Sequence, residues 1–168
     1  MTPLAPNQHV TYWQSPIGWL KLSATDEAVS QIRFIDDELK PTELQLVSVA
    51  ESHTLQQALQ QLREYFAGSR RDFDFPMINL GTPFRQQVWQ ALIDVPYGYT
   101  ASYKDIAHRI GNPKAVRAIG SANHHNSLWL VVPCHRVIGS SGQLVGYGGG
   151  LWRKEWLLAH EKKHTLTT

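Results

Sequence analysis

The sequence predicts an α+β protein in two parts, a strand-rich N-terminal αβ part with its linker over residues 1–79 and a helical C-terminal part over 80–168. Two observations carry this. Short alternating runs broken by turn residues fill the first 35 positions, whereas helical spacing of apolar residues dominates after Thr82. Charge divides at the same place. Residues 1–79 hold 6 Lys and Arg against 10 Asp and Glu, and residues 80–168 hold 10 against 4, so a net charge of only +2 hides a basic C-terminal half. That half is the one suited to an anionic partner.

In the N-terminal part, His9 to Trp13 alternates toward a strand and Ser15-Pro16-Ile17-Gly18 is a turn signal. Trp19 to Ser23 and Val29 to Ile35 are the next strands, and Asp36 to Thr42 reads as loop. Leu55, Ala58, Leu59, Leu62 and Phe66 recur at helical spacing, with Thr54 and Gln57 as a capping box and Gly68 as the stop. Arg70 to Asn79 carries one more short strand and the linker.

Gly81 opens the C-terminal part. Thr82 caps a helix with Pro83 at its first position, Phe84, Val88 and Leu92 form its apolar face, and Pro96-Tyr97-Gly98 ends it. Ser102 and Asp105 cap a short helix through Ile110, stopped by Gly111. Asn112 and Pro113 start another, running to about His125. Two short helices across a glycine turn read as a helix-turn-helix, or simply as a compact helical hairpin. Lys114 and Arg117 lie on the second helix among small residues, Ala118, Gly120, Ser121 and Ala122, which would let its backbone approach a partner closely. Leu128 to Val132 is a buried-strand candidate leading into Pro133-Cys134-His135-Arg136. A glycine-rich loop with Tyr147 and a last helix from Leu151 to about His160 follow.

Several classes are excluded or disfavoured. The longest apolar run is five residues, far short of the ~20 that span a bilayer. Met1 to Asn7 has no basic start and no apolar core, so no signal peptide is expected. A single cysteine makes neither an internal disulfide nor a thiolate-rich zinc site and fits a reducing cytoplasm. The six tryptophans invite a stacking-platform reading, but Trp89 and Trp156 fall on expected helices. His124 and His125 point different ways on one helix, which disfavours a shared metal.

The chemistry centres on Cys134. A thiol is a good nucleophile only as thiolate, and a neighbouring His can take its proton. On an extended strand Cys134 and His135 would point to opposite faces, so a turn or a bridging water would have to join them. Glu161 and Glu155 are the nearest carboxylates to orient the imidazole. A thiol hydrolase with Cys134 and His135, a non-catalytic DNA-binding module and an inert buried cysteine all remain open on these residues alone.

Pro133-Cys134-His135-Arg136-Val137 resembles the signature of the O6-alkylguanine-DNA alkyltransferases. Further blocks resemble that family in order: Gly81 to Arg85, Ser102-Tyr103, Asn112 to Gly120, and Lys154 to Leu158. The N-terminal half resembles it in length and in Leu62 to Gly68. The resemblance implies an RNase-H-like αβ domain joined to a helical winged-helix-type domain with a helix-turn-helix. It implies direct, irreversible transfer of an O6-alkyl group from guanine in duplex DNA to Cys134, with the base flipped from the minor groove. His135 would be the base acting through a water, with Glu161 holding it. Tyr103 would crowd the target phosphate, Arg117 would fill the space the base leaves, Asn126 would be the hinge between the recognition helix and the active-site strand, and Tyr147 would hydrogen-bond the base. Ser102, Lys114, Ala118, Gly120, Ser121 and Arg136 complete the expected DNA face, and Trp129, Gly148 and Gly149 the expected alkyl pocket. Gly148 stands where the family often has serine or another small residue, and Trp129 where it often has a smaller residue, which would narrow the pocket against bulky adducts. Relatives that only bind alkylated DNA replace the cysteine, which this chain keeps. Neither metal nor cofactor is implied, and the expected partner is lesion-bearing duplex DNA, met by a monomer that loads cooperatively at most on the DNA itself.

Overall fold

The computed structural model describes residues 8–36 and 52–165. Met1 to Asn7 and the rest of the expected loop, 37–42, lie outside the described residues. The chain divides into two compact units, Met1–Asn79 and Leu80–Thr168.

In the first unit, β1 (Gln8–Ser15), β2 (Gly18–Thr25) and β3 (Val29–Phe34) form an antiparallel sheet in the order β1-β2-β3. The Ser15 hydroxyl builds the first turn, donating to the Gly18 carbonyl at 2.7 Å and accepting from the Ile17 N–H at 3.2 Å. Strand alternation buries Leu20, Leu22 and Ala24 on one face of β2. Leu20 pairs with Phe34 and Leu22 with Ile32 across to β3, which pins the register. Helix α1 (His53–Ala67) covers this unit's core with Leu55, Ala58 and Leu62. Each large aliphatic chain so buried contributes about 1.5–3 kcal/mol. Its N-cap is Ser52, whose hydroxyl accepts from Leu55 N–H, and not the expected Thr54–Gln57 box. Thr54 already lies in the first turn, where its hydroxyl donates to the Thr25 carbonyl at 3.1 Å. Gly68 closes the helix at φ +85° as expected. The short strand expected after Arg70 is only one parallel bridge, Val29 to Met77.

The second unit begins with α2 (Pro83–Ile93), capped by the Thr82 hydroxyl and started by Pro83. Strand β4 (Ala101–Ser102) runs straight into α3 (Tyr103–Arg109), whose Ser102–Asp105 capping box is complete. Gly111 turns the chain at φ +74°. Helix α4 (Val116–His124) starts later than the expected Asn112–Pro113, because Asn112 to Ala115 form a turn that Ala115 N–H closes onto the Asn112 carbonyl. The Trp89 indole N–H donates to the Ala122 carbonyl at 2.9 Å, fastening α2 to α4.

The expected strand over Leu128 to Val132 does not form. Leu130 sits at φ +75°, and the Val132 N–H bonds back to the Leu128 carbonyl, so the segment is a turn. A five-residue apolar run is equally suited to a buried turn, and only its backbone partners decide. Here the partner is the Asn126 side chain: it accepts from the Leu128 N–H at 3.0 Å and donates to the Val132 carbonyl at 2.9 Å. The turn feeds a single 3-10 turn, Cys134–Arg136, and then β5 (Val137–Ile138), which pairs parallel with β4. Helix α5 (Leu151–Thr165) ends the described chain, five residues beyond the expected His160. No helix among the described residues is long and apolar enough to cross a membrane.

Candidate active site

Cys134 opens the 3-10 turn and is buried. It lies in a cavity of about 360 Å³ whose other walls include Tyr103 and Gly120, Asn123 and His124 of α4, and Gly146, Tyr147 and Gly148 of the glycine-rich loop. Burial pushes the Cys134 thiol up, against the opposing pull of the Asn126 amide and the Lys154 ammonium. The Asn126 amide N–H reaches the sulfur at 3.5 Å while holding the Val132 carbonyl, so one side chain shapes the turn and touches the nucleophile.

Behind the cysteine stands a buried network. His135 and Glu161 are both fully buried, and His135 Nε2 donates to Glu161 Oε2 at 2.7 Å. Arg136 grips the same carboxylate through Nε at 2.8 Å and Nη2 at 3.1 Å, and its Nη1 donates to the Val95 carbonyl at 2.8 Å. Burial tends to raise the Glu161 carboxyl, but the hydrogen bond from His135 and the Arg136 guanidinium outweigh it and hold the group ionised, well below the usual carboxylate range. Burial lowers His135 in spite of Glu161, which keeps the imidazole neutral near pH 7. With its N–H on Nε2, Nδ1 carries a bare lone pair, and Nδ1 has no hydrogen-bond partner. That nitrogen is the available base. Glu155 is exposed and takes no part.

Two expectations are corrected here. Arg136, expected at the DNA face, is 5 % exposed and faces inward, its charge consumed by Glu161. Its Nε and Nη2 are committed to Glu161 and its Nη1 to the Val95 carbonyl. Trp129 and Gly149, expected in the alkyl pocket, are not among the cavity walls, whereas Gly148 is. The Trp129 ring lies against Gly148 so closely that a Cβ there would come within 2.7 Å of the indole. Trp129 is anchored by its N–H to the Asn126 carbonyl at 2.9 Å and sits 5.6 Å from the Tyr147 ring. The departure from serine at 148 and the large residue at 129 are thus one steric accommodation.

Sequence reasoning missed Lys154 as a site residue. It is fully buried, and its ammonium donates to the Val145 and Gly146 carbonyls at 2.8 and 3.1 Å, clamping the loop that carries Tyr147. Burial lowers its pKa to about 8, with the Cys134 thiolate acting in the opposite direction. A lysine on an amphipathic helix normally reads as solvated, and only the carbonyls it meets reveal the clamp. Asn123 and His124 were missed as cavity walls for the same kind of reason.

On the outer face of α4, Arg117, Ala118 and Ser121 are exposed, as is Lys114 just before the helix, while Ile119 and Ala122 turn inward. Gly120 has no atom within 4 Å of where a side chain would begin. Ser102 spends its hydroxyl on capping α3, immediately before Tyr103.

Family models match both units: the 6-O-methylguanine DNA methyltransferase ribonuclease-like domain over residues 9–78, and the DNA-binding domain of the same description over residues 83–163. The chain belongs to the 6-O-methylguanine DNA methyltransferase family. It is 46% identical over 151 residues to a methylated-DNA–protein-cysteine methyltransferase of Mycolicibacterium paratuberculosis, covering 90% of each chain. It is 45% identical over 145 residues to the constitutive protein of that name from Bacillus subtilis, covering 84% of this chain and 87% of the other. Among solved structures, Mycobacterium tuberculosis OGT in complex with DNA matches at TM-score 0.82 and 43% identity, over 93% of this chain and 94% of that one. In this methyltransferase family member the N-terminal unit is the ribonuclease-like one and the C-terminal unit the DNA-binding one, so the two-part α+β expectation stands.

Proposed function

We propose that this protein repairs DNA by moving the O6-alkyl group of guanine in a duplex onto Cys134, once per molecule. The observation that carries the reading is the arrangement around the one cysteine: a thiol in a cavity large enough for a base, with an oriented His135–Glu161 pair next in the chain. His135 Nδ1 takes the thiol proton, directly or through one water. The sulfur attacks the O6-alkyl carbon, the C–O bond breaks with its electron pair going to the base, and a proton returns to the guanine ring. The products are a thioether and ordinary guanine. Tyr147, whose buried hydroxyl has no partner, supplies a donor to the departing base. Burial raises the Tyr147 hydroxyl well above its ordinary value, so it stays protonated and able to donate.

A base inside a duplex is out of reach of a buried sulfur, so it must be flipped. The exposed face of α4 with Lys114, Arg117, Ala118, Gly120 and Ser121 is suited to close approach in the minor groove, with Arg117 entering the stack, Ser102 and Tyr103 at the target phosphate, and the flipped base in the Cys134 cavity. The same reading has the protein act as a cytoplasmic monomer, without cofactor or metal. The thioether has no bond that water opens readily, so repair is stoichiometric. Titration of duplex O6-methylguanine with protein is expected to stop at one lesion removed per molecule. Continued turnover would replace this reading with that of a thiol hydrolase.

A further inference from the structure

The outer face of the N-terminal sheet carries charge that nothing in the fold answers. Strand alternation turns Leu20, Leu22 and Ala24 of β2 inward, so Trp19 and Lys21 lie on the opposite face. On that face the register sets Tyr12, Lys21 and Arg33 in one row across β1, β2 and β3. All three, and Trp19, are partly exposed. Two cations directly opposite each other on neighbouring strands repel and weaken a sheet. Among the described residues neither has a carboxylate partner, since the ion pairs are His9–Asp26, Arg70–Glu64 and those of Glu161. Arg33 Nε is also buried without a hydrogen-bond partner, which is unfavourable for a donor. The pair does not belong to a generally basic surface, because residues 1–79 hold 6 Lys and Arg against 10 Asp and Glu. One oxyanion between the ammonium and the guanidinium removes both costs.

The neighbouring rings say which oxyanion. Tyr12 stands beside Lys21 in the row, and Trp19 is two residues along β2, about 7 Å away. Neither ring packs against another aromatic ring among the described residues. Cations for phosphate beside open rings for bases is the composition of surfaces that hold unpaired strands. In a duplex the base faces are stacked on one another and closed to a ring. An acidic peptide would use the cations and leave the rings idle. We propose that the outer face of the N-terminal sheet is a binding site for single-stranded nucleic acid, in which Lys21 and Arg33 share a backbone phosphate and bases stack on Tyr12 and Trp19. The site lies within the N-terminal unit and rests on none of the chemistry at Cys134.

The test uses the full chain and a fluorescein-labelled dT16 oligonucleotide, with binding read by anisotropy over a series of salt concentrations. The Lys21→Gln/Arg33→Gln protein is expected to bind dT16 about tenfold more weakly than the wild-type protein. Its slope of log affinity against log salt should be shallower by about 0.7, the value of one phosphate contact on a single strand. Tyr12→Ala is expected to weaken dT16 by about fivefold or more with the salt slope unchanged, because stacking carries no charge. Single-turnover transfer from duplex O6-methylguanine should be unaltered in both proteins, which shows that they are folded. Without nucleic acid, Lys21→Gln alone is expected to raise Tm, since it removes a repulsion, and a fall would mean that the fold itself holds the pair. Unchanged affinity and slope in the double variant would overturn the proposal and leave any binding of single strands to the C-terminal unit. Displacement of dT16 by polyglutamate at equal charge concentration would also overturn it, in favour of an acidic protein segment. If the double variant does not fold, Lys21→Gln and Tyr12→Ala decide by the same readings.

Discussion

Cys134→Ala is expected to bind duplex DNA carrying O6-methylguanine and leave the lesion intact. The loss is complete because the chain has no second thiol to take the alkyl group. Binding should survive, since the sulfur is buried in the cavity and the exposed cations lie on and beside α4. Electrophoretic retardation of the lesion duplex, with lesion content measured after an overnight incubation, checks both halves. Repair by the alanine protein would show that another group accepts the alkyl.

The second large effect is structural as well as catalytic. Glu161→Ala leaves a buried guanidinium and the His135 imidazole without their shared acceptor. Breaking a buried pair by removing one partner costs about 3–5 kcal/mol. Thermal unfolding should therefore show a fall in Tm of about 6–20 °C. The transfer rate should fall further than stability alone explains, because His135 loses the bond that fixes its tautomer. Glu161→Gln, which keeps one acceptor for Arg136, is expected to fold better than the alanine variant but still react slowly. A variant as stable and as fast as the wild-type protein would remove the network from the account.

The same network sets the sign of the pH dependence. His135 has a folded pKa below its ordinary 6.5, so below about 6.5 the unfolded chain takes up a proton that the folded one does not. Glu161 is held ionised in the fold, so below about 4.5 the unfolded carboxyl is protonated first. Both groups contribute stability that is present above pH 6.5 and lost as pH falls through these ranges. Chemical denaturation between pH 7.5 and 4.5 should show a monotonic loss carried mainly by His135, and the loss should persist in the Glu161→Gln protein, because the carboxylate it removes opposes the burial-driven lowering of His135.

Much of this was legible in the residues. Alternation placed β1 to β3, and the Thr82-Pro83 and Ser102–Asp105 signals placed the starts of α2 and α3, because caps act locally and leave a local mark. The cysteine–histidine pair and the charge division pointed to the chemistry and to the half that performs it. What failed had non-local causes. Leu128 to Val132 read as a strand because apolarity does not reveal that the Asn126 side chain, and no neighbouring strand, satisfies its backbone. Arg136 was expected at the DNA face through the family resemblance, and its inward partner left no trace in the neighbouring residues. Its partner, Glu161, lies 25 residues on, and nothing local marks the pairing. Lys154 was hidden for the same reason, since its carbonyl partners belong to a loop without regular structure. Asn123 carried no signal at all: an asparagine near a helix end normally reads as a cap, and only the fold shows it lining the cavity.

The central claim is that Cys134 itself becomes the alkyl acceptor, and intact mass tests it most directly. After incubation with excess duplex O6-methylguanine, the account predicts a single gain of about 14 Da, mapped to Cys134 by peptide fragmentation and never exceeding one per protein. An unchanged mass with the lesion consumed would contradict it, because the methyl group would then have left the protein and some other chemistry would be turning over.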